Sequence, residues 1–109
     1  MMQTNKKTYQ IKLRSDFFDE FDEGAIDFLM SQENGSKYVV IYLMLCLQAI
    51  KNNSKSAIPY DTKEIAKSTK YFGVDTVVVA IELFKRLGMV REENQALHII
   101  NLDEMIEVQ

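Results

Sequence analysis

Three lysines in the stretch 62–71, "TKEIAKSTKY", are spaced so that they could bind phosphate groups together. Lys63, Lys67 and Lys70 follow an i, i+4, i+7 pattern, which puts their ammonium groups on one face of a helix. The hydroxyl groups of Thr62 and Tyr71 flank them and can donate further hydrogen bonds to phosphate oxygens. The alternative is a lysine face that only keeps the surface solvated. We predict that these five residues, here called the lysine ridge, contact a nucleic-acid backbone without distinguishing bases.

The next segment, residues 75–87, has the layout of a helix that would follow the ridge after a short turn. On a helical wheel of about 100° per residue, one stripe is apolar and should face the core: Val77, Ala80, Ile81, Phe84 and Leu87. The opposite face then carries Asp75, Val78, Val79, Glu82, Lys85 and Arg86. Helices that read bases usually offer Arg, Lys, Asn or Gln, and carboxylates there would be repelled by phosphate. We therefore predict a protein interface at Val78, Val79 and Glu82, with phosphate contacts only from Lys85 and Arg86.

Other basic residues lie near the start of the chain and in a late acidic stretch. Residues 1–7 contain Lys6 and Lys7 and are expected to form a disordered basic leader, which could follow a phosphate line. Arg91 stands beside Glu92 and Glu93, so the segment that contains it is expected to be a poor reader of a groove. Lys6, Lys7 and Arg91 complete the predicted set of DNA contacts.

The sequence offers little for catalysis or metal binding. Six carboxylates lie between residues 16 and 27, but aligning Gly24 with the glycine of a calcium loop puts Phe21 and Met30 at ligand positions. His98 is the only histidine and Cys46 the only cysteine, and the chain lacks metal-ligand spacings, phosphate-cradling glycine loops and nucleophile elbows. We predict a protein that is not an enzyme and that binds no metal and no cofactor.

Composition indicates a single domain over residues 1–109. With 47% hydrophobic residues, the chain can bury one core of ordinary size. The net charge of −3 argues against a surface that is basic all over. The longest apolar run, Tyr38 to Leu47, falls short of the roughly 18 residues that span a bilayer, and a signal peptide is not indicated. A cytoplasmic protein without membrane contact is predicted.

The candidate residues lie on a series of predicted strands and helices. A strand is predicted at 8–14, one helix or two short ones over about 15–34, and a central helix from Ser36, as its cap, to about Lys51. An extended segment at 57–59 precedes a helix opened by Asp61 and Glu64, then a helix capped by Asp75 and closed by Gly88. A hairpin with the tip "REENQ" follows. The predicted fold is α+β, mostly helical: a winged helix-turn-helix with a short N-terminal strand and a C-terminal hairpin wing.

Three segments in this order resemble the N-terminal domain of phage replisome organisers: "YQIKLRSDFFDE", "GSKYVVIYLMLCLQAIKNN" and "TVVVAIELFKRLGMV". The resemblance covers residues from about 7 to 107. It implies a winged-helix domain at the front of a longer protein that engages double-stranded DNA at the replication origin and works with helicase-loading or primosome proteins. The chain is also similar to the N-terminal domains of bacterial primosome proteins of the DnaD type, which implies self-association into a homo-oligomer.

Two functions remain open at this point. In the first, the domain contacts duplex DNA through the lysine ridge and the other basic residues. In the second, it is an interaction domain without DNA binding of its own. The two are compatible if an oligomer brings several weak ridges onto one duplex, because linked sites gain effective concentration without new contacts.

Overall fold

A computed structural model describes residues 9–11, 25–51, 57–100, 102 and 106–108. The helices in this part of the chain are α1 (Ala25–Met30), α2 (Gly35–Lys51), α3 (Thr62–Thr69) and α4 (Val74–Arg86). The strands are β1 (Tyr9–Ile11), β2 (Ala57–Pro59), β3 (Val90–Glu93), β4 (Ala96–Ile99) and β5 (Ile106–Val108). The architecture is α+β and mostly helical, as predicted. Among the described residues, no helix is both long enough and apolar enough to cross a bilayer.

Helix α2 lies at the centre of the core, with nine of its residues buried. These include Tyr42 and Cys46, which are fully enclosed. The apolar run 38–47 predicted a helix surrounded on all sides, and this expectation is wrong on one side, where Val40 and Leu47 are exposed. The described elements around α2 leave these two side chains partly open.

Gly35 begins α2, so the prediction that Ser36 caps this helix is wrong. The first turn is closed by the Tyr38 amide, which donates to the Asn34 carbonyl at 3.1 Å. A Cβ atom on residue 35 would collide with the Leu29 carbonyl oxygen and would lie 2.7 Å from the Met30 Cα. Glycine therefore lets α2 begin in contact with the end of α1.

Helix α3 begins as its sequence predicts. The Asp61 carboxylate accepts hydrogen bonds from the Lys63 amide at 3.0 Å and the Glu64 amide at 3.3 Å, which satisfies two free donors of the first turn. At the other end, Lys70 adopts a left-handed conformation with φ of 68°. The buried Thr69 hydroxyl donates to the Ala66 carbonyl and accepts from the Phe72 amide, which joins α3 to the turn that follows.

The N-cap of helix α4 lies two residues earlier than predicted. Gly73 occupies the N-cap position and Val74 is the first helical residue, so the prediction that Asp75 caps the helix is wrong. The Asp75 carboxylate instead lies in the first turn, where a negative charge still favours the helix dipole. At the other end Gly88 has φ of 75° and ends the helix as expected.

The hairpin after α4 is confirmed and its turn is tighter than predicted. Strands β3 and β4 pair antiparallel, and Asn94 and Gln95 alone form the turn, with φ of 52° and 62°. Positive φ at both positions matches the twist of a two-residue hairpin. Strand β2 pairs with the other edge of β4, giving the order β2-β4-β3. Strands β1 and β5 form a separate antiparallel pair, and β5 was not predicted; the rest of the predicted strand 8–14 lies outside the described residues.

The wheel predicted for residues 75–87 is confirmed. Its core stripe is buried at Val77, Ala80, Ile81 and Phe84, and Leu87 is half-buried against the core. The Phe84 ring meets the Tyr42 ring edge to face, with centroids 5.6 Å apart and planes at 72°. This contact fixes α4 against α2 and turns Asp75 and Glu82 towards solvent.

Cys46 is buried, and burial raises the pKa of its thiol to about 12, with a smaller opposing effect from a hydrogen bond with Tyr42. Only the thiolate reacts quickly with thiol reagents, so the folded protein at pH 8 should react very slowly. On unfolding, the pKa returns to about 8.5 and the reaction should become fast. Labelling with a chromogenic disulfide across a urea titration checks this. Rapid labelling without urea would contradict the packing around Cys46.

Candidate nucleic-acid interface

The lysine ridge lies on the outer side of α3. Its three lysines are exposed, while Ile65, Ala66 and Thr69 of the same helix are buried. Tyr71 follows the helix and is 76% exposed, so its hydroxyl and ring are available to a ligand. Thr62 is half-buried at the start of the helix. The structure therefore places the five ridge residues along one helix and the turn after it.

The charges of the ridge are largely uncompensated. The Lys67 ammonium lies 3.6 Å from a Glu64 carboxylate oxygen, and both side chains are more than two thirds exposed. An exposed pair of this kind contributes about 0–1 kcal/mol, so it can exchange its partner at little cost. Within the described part of the chain, Lys63 and Lys70 have no carboxylate at ion-pair distance. Two of the three ammonium groups are thus free to take a phosphate.

Lys85 is held by protein groups on three sides. Its ammonium lies 3.0 Å from Glu82, 3.1 Å from Glu92 and 5.2 Å from the centre of the Tyr60 ring. The pKa of Lys85 is raised above its ordinary value, mainly by the hydrogen bond with Glu82. Partial burial of the ammonium group has the opposite, smaller effect on this pKa. Glu92 belongs to β3, so the lysine joins α4 to the hairpin. Two carboxylates already hold this ammonium group, which weakens the predicted phosphate contact of Lys85.

The two arginines of the predicted set differ from each other. Arg86 is exposed and, among the residues that the structure describes, has no carboxylate partner. Arg91 donates from Nε and Nη2 to one oxygen of Glu93, at 3.3 and 3.2 Å. Lys6 and Lys7 lie outside the described residues. Arg86 therefore keeps a free positive charge, and Arg91 shares its charge with a neighbouring carboxylate.

The outer face of α4 carries the apolar and acidic side chains that the wheel predicted, with Arg86 at its C-terminal end. Val78 and Val79 are 37% and 47% exposed, and Asp75 and Glu82 beside them are exposed as well. Val74 extends the patch by one turn; it was missed because the helix was expected to begin at Asp75. A duplex would meet two carboxylates on this face, whereas a protein surface could cover the valines.

The described residues contain no group of three or more His, Cys, Asp or Glu side chains arranged to hold a metal ion. Asp27 is the one member of the acidic stretch 16–27 that the structure describes, and it is exposed. The other five carboxylates of that stretch lie outside the described residues.

Comparison with known proteins gives one match. The family model described as the N-terminal phage replisome organiser matches residues 10–109. No curated protein and no solved structure matches the chain.

Proposed function

This chain belongs to the N-terminal phage replisome organiser family, and on that premise we propose that it is a winged-helix domain that contacts double-stranded DNA during replication initiation. Family membership gives it a replication-related role. The proposal adds the surface that meets the duplex, the lysine ridge of α3. In this proposal the domain binds DNA and catalyses no reaction.

The order of elements supports a winged helix. Strand β2, helices α3 and α4 and the hairpin β3–β4 follow one another, and the three strands join in one sheet. In this interpretation α3, the four residues 70–73 and α4 are the helix-turn-helix, and the hairpin is the wing. The ridge then flanks the helix that normally enters a groove.

The observation that carries the proposal is the absence of protein partners for the charges of Lys63 and Lys70 in the described part of the chain. Lysine contacts to phosphate release counterions from the duplex and give affinity without sequence information. Three or four such contacts correspond to a salt slope of about −3 to −4. We expect modest affinity and little discrimination between an origin sequence and a random one.

The outer face of α4 supports a second function, self-association or contact with other replication proteins. Val78 and Val79 are apolar and exposed beside Glu82, which suits a protein partner better than phosphate. A homo-oligomer would place several ridges on one duplex and raise the overall affinity. Helicase-loading and primosome proteins are the other partners that this family suggests.

The DNA contact is tested by neutralising the two free lysines in the variant Lys63→Gln/Lys70→Gln. Its affinity for a short duplex of about 12 base pairs should fall, and the salt slope should shrink by about 2, because two phosphate contacts are lost. A short duplex leaves little room for a second copy, so the result does not depend on oligomerisation.

The matched control is Lys37→Gln/Lys51→Gln, which removes two exposed lysines of α2. Either double variant changes the net charge from −3 to −5, so a general charge effect would weaken both equally. The proposal expects the control to keep the slope of the unmodified protein. Equal losses in the two variants, or no loss in either, would overturn the contact assigned to the ridge.

A further inference from the structure

Helix α2 presents an apolar stripe with positive charge at both ends. Val40 and Leu47 are 43% and 47% exposed, and Met44 is partly exposed between them on the same arc of the helix. Lys37 and Lys51 are exposed at the two ends of this arc, about 21 Å apart along the helix. Helix α2 has no acidic residue, and neither lysine has an ion-pair partner in the part of the chain that is described. This surface, the α2 face, is apolar and basic.

Helix α4 presents a stripe of the opposite sign. Its exposed valines, Val74, Val78 and Val79, surround the carboxylates of Asp75 and Glu82. Lys85 is shared by Glu82 and Glu92, so it does not cancel the negative charge of the region. Arg86, exposed at the end of the same side of the helix, adds one positive charge against the two carboxylates. This surface, the α4 face, is therefore apolar and net acidic.

The two faces complement each other around their apolar centres. Two α2 faces would bring lysines together in either relative direction. Two α4 faces packed through Val78 and Val79 would set Asp75 and Glu82 against each other or against their own copies. Like charges in an interface disfavour a complex, whereas opposite charges around an apolar centre favour it and set its orientation. Since one chain carries both faces, a second copy of the chain is a sufficient partner.

We propose that this domain self-associates head to tail, with the α2 face of one copy against the α4 face of the next. Such a contact is heterologous, so each copy keeps one free face of each kind until the assembly closes into a ring or continues as a filament. Lys63 and Lys70 belong to neither face and stay free for phosphate. The inference rests on the self-association part of the proposed function and specifies its surfaces and symmetry.

The test uses two variants that each block one face, Leu47→Glu on the α2 face and Val79→Lys on the α4 face. Both side chains are about half exposed, so the substitutions should leave the fold intact, which circular dichroism and thermal melting verify. In each variant the new charge meets a like charge on the partner face and removes apolar contact. Sedimentation without DNA should show the unmodified protein gaining mass with concentration. Each variant alone should stay near 12.6 kDa, with self-association weakened about tenfold or more.

Mixing the two variants decides the symmetry. An equimolar mixture contains one intact α2 face and one intact α4 face, so the head-to-tail arrangement predicts that mixing restores association. If either variant alone associates as the unmodified protein does, or if mixing restores nothing, the proposal is overturned. An unmodified protein that stays monomeric at all concentrations also overturns it.

The variant Lys63→Gln/Lys70→Gln is the matched control, because it alters exposed charges outside both faces and should associate normally. If that variant loses DNA binding while both face-blocking variants remain oligomeric, the DNA contact stands and the head-to-tail inference fails. The opposite result is also informative. If the face-blocking variants behave as expected but the unmodified protein does not bind DNA, only the DNA contact is overturned.

Discussion

Replacing Phe84 with alanine is expected to lower the free energy of unfolding by about 3–5 kcal/mol. The Phe84 side chain is fully buried and packs edge to face on Tyr42, which joins α4 to the central helix. The substitution removes this aromatic contact and leaves a cavity that α2 and α4 cannot easily close. Small domains have a total stability of about 5–15 kcal/mol, so the variant should be close to unfolding at room temperature. Urea denaturation followed by circular dichroism measures the change.

Val79→Ala is the matched control for Phe84→Ala, since it shortens an exposed side chain on the same helix. Surface substitutions of this kind usually change stability by less than about 0.5 kcal/mol. A Phe84→Ala protein as stable as the Val79→Ala protein would contradict the contact between α2 and α4 and, with it, the orientation of the outer face of α4.

Gly35→Ala is expected to destabilise the protein by about 1–3 kcal/mol. In a helix, alanine normally gains about 0.5–1 kcal/mol over glycine, so helix propensity alone predicts the opposite sign. Here the added methyl group would collide with the Leu29 carbonyl oxygen and the Met30 backbone, which cannot move aside as a flexible side chain could. The clash should outweigh the propensity gain because α1 and α2 must separate to relieve it. Thermal melting measures the result.

Gly73→Ala is the control for the glycine prediction. Gly73 has φ of −77° and no atom within 4 Å of the position that a Cβ would take. Alanine fits there, and the expected loss is about 0.5–1 kcal/mol, because alanine is a weaker N-cap than glycine. If Gly35→Ala is as stable as Gly73→Ala, α1 and α2 do not meet as closely as described.

Local pattern was enough to predict much of the fold. The apolar repeat at 77, 80, 81 and 84 determined which side of α4 is buried, because a helix of fixed pitch has one stripe to hide. Asp61 and Glu64 marked the start of α3, and the apolar residues around an acidic stretch marked the hairpin. These signals lie within a few residues of the structure that they specify.

What the sequence did not predict depends on distant contacts. The pairing of β5 with β1 joins the two ends of the chain, and three-residue strands have little pattern of their own. Lys85 was predicted to be a free cation because Glu92 reaches it only once the hairpin folds back on α4. The exposed side of α2 could not be distinguished from its buried side, since Val40 and Leu47 are as apolar as their buried neighbours.

The N-cap of α4 could not be predicted from residue type alone. Asp75 is a good capping residue by type, whereas Gly73 is acceptable and gives no side-chain hydrogen bond. The buried Thr69 hydroxyl holds the Phe72 amide and so directs the turn before the helix begins. The turn therefore determines where α4 starts, and the carboxylate of Asp75 takes a place within the first turn.

We expect duplex DNA to contact the lysine ridge and Arg86 at the end of α4, and not Val78, Val79 and Glu82. Amide chemical-shift changes on addition of a short duplex to the isotope-labelled protein test this contact residue by residue. The largest changes are expected at residues 62–71 and at Arg86, and small ones at Val78, Val79 and Glu82. Changes concentrated on the outer face of α4, with none along the ridge, would contradict it.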